Sequence, residues 1–585
     1  MGRHRAGRYV ALIAAMMMGL VLGGPSFARA AEVDCYPDQD GDGQGDDAAS
    51  TTTFADACPL WWTQNNDDCD DTDFNIHDGA PELPDNGIDE NCDGADFEIS
   101  DSNAIFVSPS GSDSDPGTKA APKKTILGAL DAAGGDEVIV LAAGTYDGHF
   151  NLDRSLFGGY DDSDGWSRDI DANESKIVAD AAGDKTIYGS SGTAVAIQGV
   201  TVEGRTVDSG GSKTISLSSL TAHYRVDRVR SISGDGGTFT RGIEPGGMIT
   251  SITNSYFECN DEDTRPLEMA SGTQRIYIAH NTFKNAWVGA TLRPEVLSIF
   301  VQNEVTATPD APGSVKGGVT IQGSGANVVA NNLFLLDFRT VLGVDNYSHE
   351  ATLYAVNNTM IVGKLEGGPS SFLTAFDLLR GNSYLADNIV VSNGATTDLG
   401  IRAQDAIAPD DRAVWAYNNL FDGDSNFCFV QITDPLDPGE KICGAEDLSA
   451  FNACGWKDCD TAADNLTGDP LFVGGGDYHL QHDFAKAAGP AIDAGIDPNT
   501  WLSPLYADID FDGETRPYND AYDIGYDEAQ PLSTDDDDDD DTDDDTDDDD
   551  AADDDSDDDV TDDDADDDAS GDDDDDDDDD SGCGC

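Results

Sequence analysis

Short apolar runs of strand length recur along most of the chain. Many of them end in two polar residues, and an apolar residue stands two places after the second of these. The second polar residues of these endings follow one another at intervals of 22 to 31 residues. A strand-rich repeat of this length is typical of one coil of a solenoid. The endings that carry the pattern are Asn254-Ser-Tyr-Phe257, His280-Asn-Thr-Phe283, Gln302-Asn-Glu-Val305, Asn331-Asn-Leu-Phe334, Asn357-Asn-Thr-Met360, Asp387-Asn-Ile-Val390 and Asn418-Asn-Leu-Phe421.

The polar pair predicts a corner in each coil. Asparagine tolerates the left-handed backbone region, and its amide is able to bond to the equivalent asparagine one coil away. The apolar residue two places later is then expected to point inward. A single short helix, between Lys124 and Ala133, is expected to cap the first coil and protect its open edge. The pattern therefore predicts an all-β solenoid over residues 101–530.

Both ends of this region resemble known families. The segments Ile105–Thr118 and Val138–Tyr146 resemble the opening of the right-handed parallel β-helix proteins of the pectate-lyase-like superfamily, which carry the PbH1 repeat. The motifs between Gly468 and Glu528 resemble a closing segment called choice-of-anchor Q, found in many bacterial surface proteins. The resemblance implies a right-handed parallel β-helix.

The first thirty residues are predicted to be a signal peptide. Arg3, Arg5 and Arg8 precede an apolar run from Val10 to Leu22, and Ala28-Arg-Ala30 matches a small-x-small cleavage signature. That run is shorter than the roughly twenty residues needed to span a bilayer, and no later stretch is long enough. We expect no transmembrane helix in the mature chain and a location outside the cell or on its outer surface.

The net charge of -87 is distributed unevenly. Residues 32–97 contain 20 acidic and no basic residues, and residues 535–580 contain 35 Asp and no base. Such a surface repels nucleic acid and favours divalent cations as partners. Residues 531–585 cannot collapse against this repulsion and are expected to form a disordered spacer. Its final Cys583 and Cys585 resemble the cysteine element of certain sorting signals and are candidate anchoring residues.

Eight of the eleven cysteines fall into two groups of four, which predicts two disulfides in each group for an exported chain. Each group allows three connectivities, and a zinc site is the alternative. Cys259 is expected to be free or buried. The grouped cysteines are Cys35, Cys58, Cys69 and Cys92, followed by Cys428, Cys443, Cys454 and Cys459.

Residues 31–97 have too few apolar groups for a core, so metal and disulfides are the available means of stabilising this module. Asp38, Asp40 and Asp42 alternate with glycines ahead of Asp46, which brings carboxylates together in a tight loop. Calcium prefers six to eight oxygen ligands. The alternative interpretation is a solvated loop. The spacing favours a calcium site.

A second candidate loop begins at Asp71 and continues with Asp73 and Asn75 to Glu82 at its twelfth position. It departs from the EF-hand pattern at the sixth position, where Ile76 replaces the turn-making glycine.

The stretches Asp68–Asp73, Gly79–Glu82 and Asn86–Gly94 resemble the MopE-type metal-binding motif of bacterial surface proteins. The resemblance covers most of residues 36–94 and implies metal binding without specifying the metal. Family members have been associated with copper, but His77 is the only imidazole of the module, so calcium is the favoured ion.

The preferred function is a secreted or cell-surface bacterial β-helix that acts as a structural, adhesive or carbohydrate-binding rod, with a polysaccharide or another surface component as partner. The alternative is a polysaccharide lyase or glycoside hydrolase acting on acidic polysaccharide. Its candidate groups are arginines at 225, 228 and 230, acids at 261 and 263 beside Arg265, and aromatic residues at 166, 224, 287 and 415. None lies in a recognisable enzyme signature, so no catalytic residue is assigned.

Overall fold

The computed structural model describes residues 32–529 apart from short segments. The predicted signal peptide and the acidic tail with Cys583 and Cys585 lie outside the described residues. The segments left out between residues 32 and 529 are 181–182, 191–193, 208–210, 235–239, 260–264, 285–287, 308–316, 338–341, 347–350, 364–372, 379, 394–397, 405–412, 424–426, 434–440, 445–446, 482–488 and 519–520.

Each coil of the chain contributes one strand to each of three long sheets, and successive coils pair in parallel. The predicted all-β parallel β-helix is thereby confirmed. Sheet 1 consists of Ala104–Val107, Val138–Ala142, Leu156–Asp161, Ala194–Gln198, His223–Asp227, Ile249–Thr253, Arg275–Ala279, Leu297–Val301, Ala326–Ala330, Thr352–Val356, Asn382–Ala386, Val414–Tyr417 and Cys459–Ala463, with Ser167–Arg168 added in antiparallel pairing.

The other two sheets follow sheet 1 within each coil. Sheet 2 consists of Gly144–Asp147, Ser175–Val178, Val200–Glu203, Arg230–Ile232, Tyr256–Glu258, Thr282–Lys284, Glu304–Ala307, Leu333–Asp337, Thr359–Gly363, Ile389–Asn393, Leu420–Asp422 and Leu466–Thr467. Sheet 3 consists of Phe150–Asn151, Lys185–Gly189, Lys213–Leu217, Arg241–Glu244, Arg265–Glu268, Val288–Leu292, Gly317–Ile321, Leu342–Asn346, Leu373–Leu378, Asp398–Gln404, Cys428–Thr433 and an antiparallel last strand, Lys441–Cys443.

The core lies inside the solenoid, where equivalent apolar residues stack from coil to coil. Strand residues alternate between the two faces of a sheet, so every second side chain points inward. In sheet 2, the inward positions include the apolar residues that follow the polar pairs, as the repeat predicts. One continuous buried stack in this sheet consists of Phe257, Phe283, Val305, Phe334, Met360, Val390 and Phe421.

The polar pair at each corner divides two roles between neighbouring residues. The first residue of each pair has a left-handed backbone, for example Asn331 with φ 54° and Asn357 with φ 54°. The second residue is buried and bonds to its equivalent in the next coil. Asn332 Nδ2 donates to Asn358 Oδ1 at 2.9 Å, and Asn358 Nδ2 donates to Asn388 Oδ1 at 2.9 Å. The ladder thus satisfies polar groups that would otherwise be buried without partners.

Short elements complete the described chain. The predicted helix is Ile126–Ala132, with Thr125 as its N-cap. Two further short helices were not predicted by the periodicity, since each covers at most five residues: Leu448–Asn452 and Pro504–Ala507. A 3-10 turn covers Pro498–Thr500. The N-terminal strands are Glu32–Pro37, Thr52–Ala55 and Trp62–Thr63, and the late hairpin is Phe472–Gly474 with Asp477–Leu480.

The cysteines form four disulfides, as the two groups predicted: Cys35–Cys58, Cys69–Cys92, Cys428–Cys443 and Cys454–Cys459. Two of them hold the N-terminal module and two close the last coils. Cys259 is buried. Within the described residues, no helix has the length and apolar character needed to cross a membrane.

The outer face of sheet 1 is covered by both ends of the described chain. Phe74 of the N-terminal module stacks on Tyr277 of sheet 1, with ring centroids 5.2 Å apart. Corner side chains hold the C-terminal segment, residues 489–529: Asn331 Nδ2 donates to the carbonyl of Ile509 at 2.9 Å, and Gln302 Nε2 donates to that of Asp510 at 2.7 Å. The strand Leu297–Val301 is consequently buried on both faces.

Candidate metal centre

Five carboxylates of the N-terminal module meet against the outer face of sheet 1. All are buried, with at most 6% of each residue exposed. They form two overlapping groups that share Asp40, and within each group the nearest ligand atoms all lie within 4.8 Å of one another. The first group is Asp38, Asp40 and Asp42, and the second is Asp40, Asp68 and Asp71.

The first group lies on the loop after strand Glu32–Pro37. Gly41 has φ +84°, and a Cβ there would come within 2.8 Å of the Leu297 side chain on sheet 1. Glycine is therefore required at this position for two reasons, its backbone conformation and its close approach to the β-helix. The loop is tight enough to bring alternate carboxylates to one side.

In Asp38, Asp40, Asp42 and Asp68, one carboxylate oxygen accepts from a backbone amide and the other is buried without a hydrogen-bond donor. Asp40 Oδ1 accepts from the amide of residue 42 at 3.1 Å, Asp42 Oδ1 from residue 44 at 2.6 Å, and Asp68 Oδ1 from residue 70 at 2.8 Å. The Oδ2 atoms of the same three residues, and that of Asp38, have no hydrogen-bond donor. Buried carboxylate oxygens without hydrogen-bond donors are expected where a cation binds, because the cation then satisfies them.

The second group comes from a loop 30 residues later, brought close by backbone pairing. The amide of Asp68 donates to the carbonyl of Gly45 at 3.3 Å, and Asp47 donates to the carbonyl of Asp68 at 3.0 Å. Gln39 then donates to both oxygens of Asp71, from its amide at 2.8 Å and from Nε2 at 2.9 Å. These contacts place Asp68 and Asp71 beside Asp40.

Arg275 of sheet 1 supplies positive charge to this cluster. Its Nη1 lies 3.4 Å from Asp38 Oδ2 and donates to the carbonyl of Gly41 at 2.7 Å. Burial nevertheless raises the pKa of Asp40 and Asp42 well above the usual range, and the neighbouring carboxylates add to the effect. Burial likewise raises the pKa of Asp68 to about 7. Without a cation, this site opposes full ionisation.

His77 lies at the edge of the first group. Its Nε2 is 3.8 Å from Asp42 Oδ2, and its Nδ1 is 2.8 Å from Gln44 Nε2 and 3.1 Å from the carbonyl of Asp78. Burial lowers the pKa of this histidine to about 4, so the ring is neutral at pH 7. The neutral imidazole of His77 thus places a ring nitrogen close to the carboxylates of the first group.

Four of the predicted ligands come together, namely Asp38, Asp40, Asp42 and Asp71, and four are placed elsewhere. Asp46 Oδ1 accepts from the amide of Ala48 at 2.8 Å. Asp73 Oδ1 accepts from the amide of Asn75 at 3.0 Å. Glu82 accepts from the amides of residues 91 and 97, at 2.7 and 3.1 Å, and so closes a loop rather than joining the cluster. The EF-hand spacing from Asp71 to Glu82 therefore does not form one ligand set.

Sequence reasoning missed Asp68 and Arg275. Asp68 lies within the quoted motif Asp68–Asp73, but it precedes the position at which the second calcium loop was predicted to begin. A ligand supplied by pairing between two loops has no fixed sequence spacing. Arg275 lies 237 residues after Asp38, and no local pattern indicates a contact at that range.

A similar run of aspartates, Asp508, Asp510 and Asp512, lies near the C-terminal end. Its carboxylates accept hydrogen bonds from groups of the protein. Asp510 Oδ1 accepts from the amides of Asp512 and Glu514, at 3.0 and 2.7 Å. His479 lies between Asp477 and Asp512, at 2.5 and 2.8 Å. The hydrogen bond to Asp512 and the one to Asp477 raise the pKa of His479 to about 10. The imidazolium itself balances these carboxylates.

Three of the basic groups of the enzyme alternative lie at different positions of one coil. Arg225 Nη1 pairs with Glu90 of the N-terminal module at 3.1 Å. Arg228 is exposed at a corner with φ 47°, and Arg230 Nη2 lies 3.5 Å from Glu258 on sheet 2. Arg225 and Arg230 therefore pair with different carboxylates. The acids at 261 and 263 lie outside the described residues.

The aromatic residues proposed as a sugar platform pack within the protein. Trp166 is buried edge-on against Phe106, with centroids 4.7 Å apart, and Tyr224 is buried in the core. Trp415 stacks on Tyr384 at 4.2 Å. The residue at 287 lies outside the described residues. The rings of Trp166 and Trp415 therefore both contact other aromatic side chains.

Two family models match short parts of this chain. A putative metal-binding motif named Cu-binding_MopE matches residues 68–98, and a family of unknown function, DUF1565, matches residues 109–151. The expected MopE-type resemblance is confirmed for residues 68–98, which contain Asp68 and Asp71, while Asp38 to Asp42 precede the matched segment. The resemblance of the closing motifs to choice-of-anchor Q stays a prediction. No curated protein matches the chain.

Several solved structures are similar to the chain at low identity. XylC in complex with xylose has 10% identity and a TM-score of 0.38, covering 72% of this chain and 98% of that one. Pectate lyase Pel9A has 13% identity and a TM-score of 0.38, covering 74% and 98%. A GH136 lacto-N-biosidase from Eubacterium ramulus has 12% identity and a TM-score of 0.34, covering 62% and 67%.

Proposed function

We propose that this chain is an exported protein of the cell surface or its surroundings, in which a parallel β-helix carries a calcium site in its N-terminal module. The observation that carries the proposal is that the Oδ2 atoms of Asp38, Asp40, Asp42 and Asp68 are buried without a hydrogen-bond donor. Oxygen-only ligands held by backbone amides suit calcium, a hard cation. Copper is the less favoured ion because His77 is the only imidazole in the sequence of residues 31–97.

Export is supported by the chemistry of the cysteines. Four disulfides persist in an oxidising compartment, outside the cytoplasm. In this proposal residues 1–30 are a signal peptide, 31–97 the metal-binding module, 101–530 the β-helix, and 531–585 an acidic spacer ending in Cys583 and Cys585. The β-helix then acts as a displayed structural, adhesive or carbohydrate-binding rod.

Calcium titration by calorimetry tests the proposal on the mature chain. We expect saturable heat that disappears in Asp40→Asn, which keeps the side-chain shape but removes a ligand charge. The matched control is Asp67→Asn, because Asp67 is exposed on the loop that carries Asp68 and should leave the heat unchanged. No saturable heat in the unmodified chain, or equal loss in both variants, would overturn the calcium site.

Polysaccharide cleavage stays the alternative. Release of unsaturated or reducing ends from acidic polysaccharides by the purified chain would favour it, provided that Arg225→Ala or Arg265→Ala abolished the release. Arg225 is bonded to Glu90 within the described structure, so its substitution is expected to loosen the module instead.

A further inference from the structure

We propose that the carboxylate cluster holds two divalent cations, with Asp40 bridging them. This inference rests on the proposed calcium site and concerns how many ions it takes and which residues hold each. The first ion would lie among Asp38, Asp40 and Asp42, and the second among Asp40, Asp68 and Asp71.

The geometry provides two ligand groups. Each group of three has its ligand atoms within 4.8 Å of one another, and Asp40 is the member that they share. Calcium–oxygen distances of about 2.3–2.6 Å allow two ligands of one ion to be separated by up to about 5 Å. Each group therefore fits one ion. A carboxylate has two oxygens and is able to bridge neighbouring ions.

The charge of the ionised site favours more than one divalent ion. Five buried carboxylates face Arg275, whose guanidinium lies 3.4 Å from Asp38. Among the described residues, the other ion-pair partner of these carboxylates is His77, which lies 3.8 Å from Asp42 and carries charge only if protonated. When all five are ionised, four negative charges remain in a buried site. Two calcium ions balance them, whereas one leaves a buried charge of two, which is costly.

Both ligand groups contain oxygens that are buried without a hydrogen-bond donor. In the first group, Oδ2 of Asp38 and of Asp42 is buried without a hydrogen-bond donor, and in the second group the same holds for Oδ2 of Asp68. Asp68 is 1% exposed and its Oδ1 is already held by the amide of Asp70. If only the first loop bound an ion, the Asp68 oxygen would have no ligand role. Its burial without a donor indicates a second ion.

Equilibrium dialysis of the full mature chain with radioactive calcium measures the stoichiometry directly. We expect two tight equivalents at micromolar calcium in about 0.15 M salt, where exposed charges are screened beyond about 8 Å. The aspartate runs after residue 534 contribute weak background that is the same in every variant. Asp42→Asn and Asp68→Asn are each expected to remove one equivalent, Asp40→Asn both, and the exposed control Asp67→Asn none.

The outcomes separate this inference from the calcium site itself. A single tight equivalent in the unmodified chain would overturn the two-ion arrangement and leave the calcium site standing. No tight equivalent would overturn both. If Asp68→Asn still bound two equivalents, the assignment of Asp68 to the second ion would be overturned. If Asp42→Asn and Asp68→Asn each lost both equivalents, the result would support two ions coupled through Asp40. Circular dichroism of each variant in calcium verifies that the β-helix is intact, and the count in the unmodified chain decides the number independently.

Discussion

The hydroxyl of Tyr506 donates a 2.6 Å hydrogen bond to the backbone carbonyl of Asp40, across a sequence separation of 466 residues. Tyr506 belongs to the C-terminal segment, and its ring also lies 5.8 Å from that of Trp61 in the N-terminal module and 6.1 Å from that of Tyr277 on sheet 1. Three distant parts of the chain therefore meet at the carboxylate loop. Order at the carboxylate loop and docking of the C-terminal segment are physically linked.

Tyr506→Phe tests this link. The substitution leaves the Asp40 carbonyl buried without its donor, which should lower the stability of the folded chain by about 1 kcal/mol. The loop is also less well positioned, so calcium affinity should fall. Calorimetric titration and thermal unfolding measure the two effects. The matched control is Tyr522→Phe, whose hydroxyl donates to Asp508 at 2.8 Å in the same segment. If both variants bind calcium equally well, Tyr506 does not act on the metal loop.

Arg275→Gln should make the protein more dependent on calcium. The variant loses the 3.4 Å ion pair with Asp38 and the hydrogen bond to Gly41, which should destabilise the metal-free chain by on the order of 3 kcal/mol. The loss should be smaller with calcium bound, because the cations then supply the positive charge. The calcium-induced rise in Tm is therefore expected to be larger in the variant than in the unmodified chain.

Arg225→Gln is the control for that prediction. Its ion pair with Glu90 lies at the same interface but outside the carboxylate cluster. It should lower Tm by a similar amount with and without calcium. Identical calcium-induced shifts in the two arginine variants would mean that Arg275 has no particular relation to the metal centre.

The β-helix was predictable because its cause repeats in every coil. A corner residue with a left-handed backbone, a buried amide and an inward apolar residue recur together, so the polar pairs stand out in the sequence. The division of roles was not predictable from one pattern. Asn331 and Asn332 are the same residue type, yet Asn331 forms the corner and donates to the C-terminal segment while Asn332 joins the ladder.

The carboxylate cluster was predictable only where its members are close in sequence. Asp38, Asp40 and Asp42 share one tight loop, which spacing indicates directly. Asp68 reaches them through backbone pairing with Gly45, and sequence spacing does not encode such a contact. The sequence did contain one indication that another part of the chain covers sheet 1. The strand Leu297–Val301 is apolar at most positions, which indicates burial on both faces.

The pH dependence of stability should have opposite signs with and without calcium. Burial raises the pKa of Asp68 to about 7 from the ordinary 3.8, so the folded metal-free chain keeps a proton that the unfolded chain has released. Its stability therefore rises as the pH falls through 7 toward 3.8. With calcium bound, protons compete for the same oxygens, and acidification weakens binding and stability.

Thermal unfolding across this pH range, in excess chelator and in saturating calcium, measures both slopes. Other buried carboxyls contribute in both conditions, for example Asp523, whose pKa burial also raises to about 7. The informative quantity is the difference between the two curves. Asp68→Asn should reduce that difference, and parallel curves would contradict a role for these carboxylates in cation binding.

The last prediction concerns the asparagine ladder of the β-helix. Asn358 is fully buried, and its Nδ2 donates to the carbonyls of Val329 and Val356 while its Oδ1 accepts from Asn332. Asn358→Ala leaves these groups without partners in a site closed to water, so we expect a loss of roughly 3 kcal/mol. Hydrogen exchange should speed up first at the amide of Asn332, which donates to Asn358 Oδ1 at 3.2 Å.

The control is a corner residue, Asn254. It is exposed, whereas Asn358 is buried. Asn254 is exposed with φ 50°, a backbone conformation that glycine adopts freely, so Asn254→Gly should lower stability by less than about 1 kcal/mol. Each coil contacts mainly its neighbours, so the damage from Asn358→Ala should spread along the solenoid from the coils on either side. Exchange mass spectrometry of peptides from successive coils measures that spread. Unchanged exchange at Asn332 in Asn358→Ala would show that packing of the apolar stacks, and not the ladder, protects the corner amides.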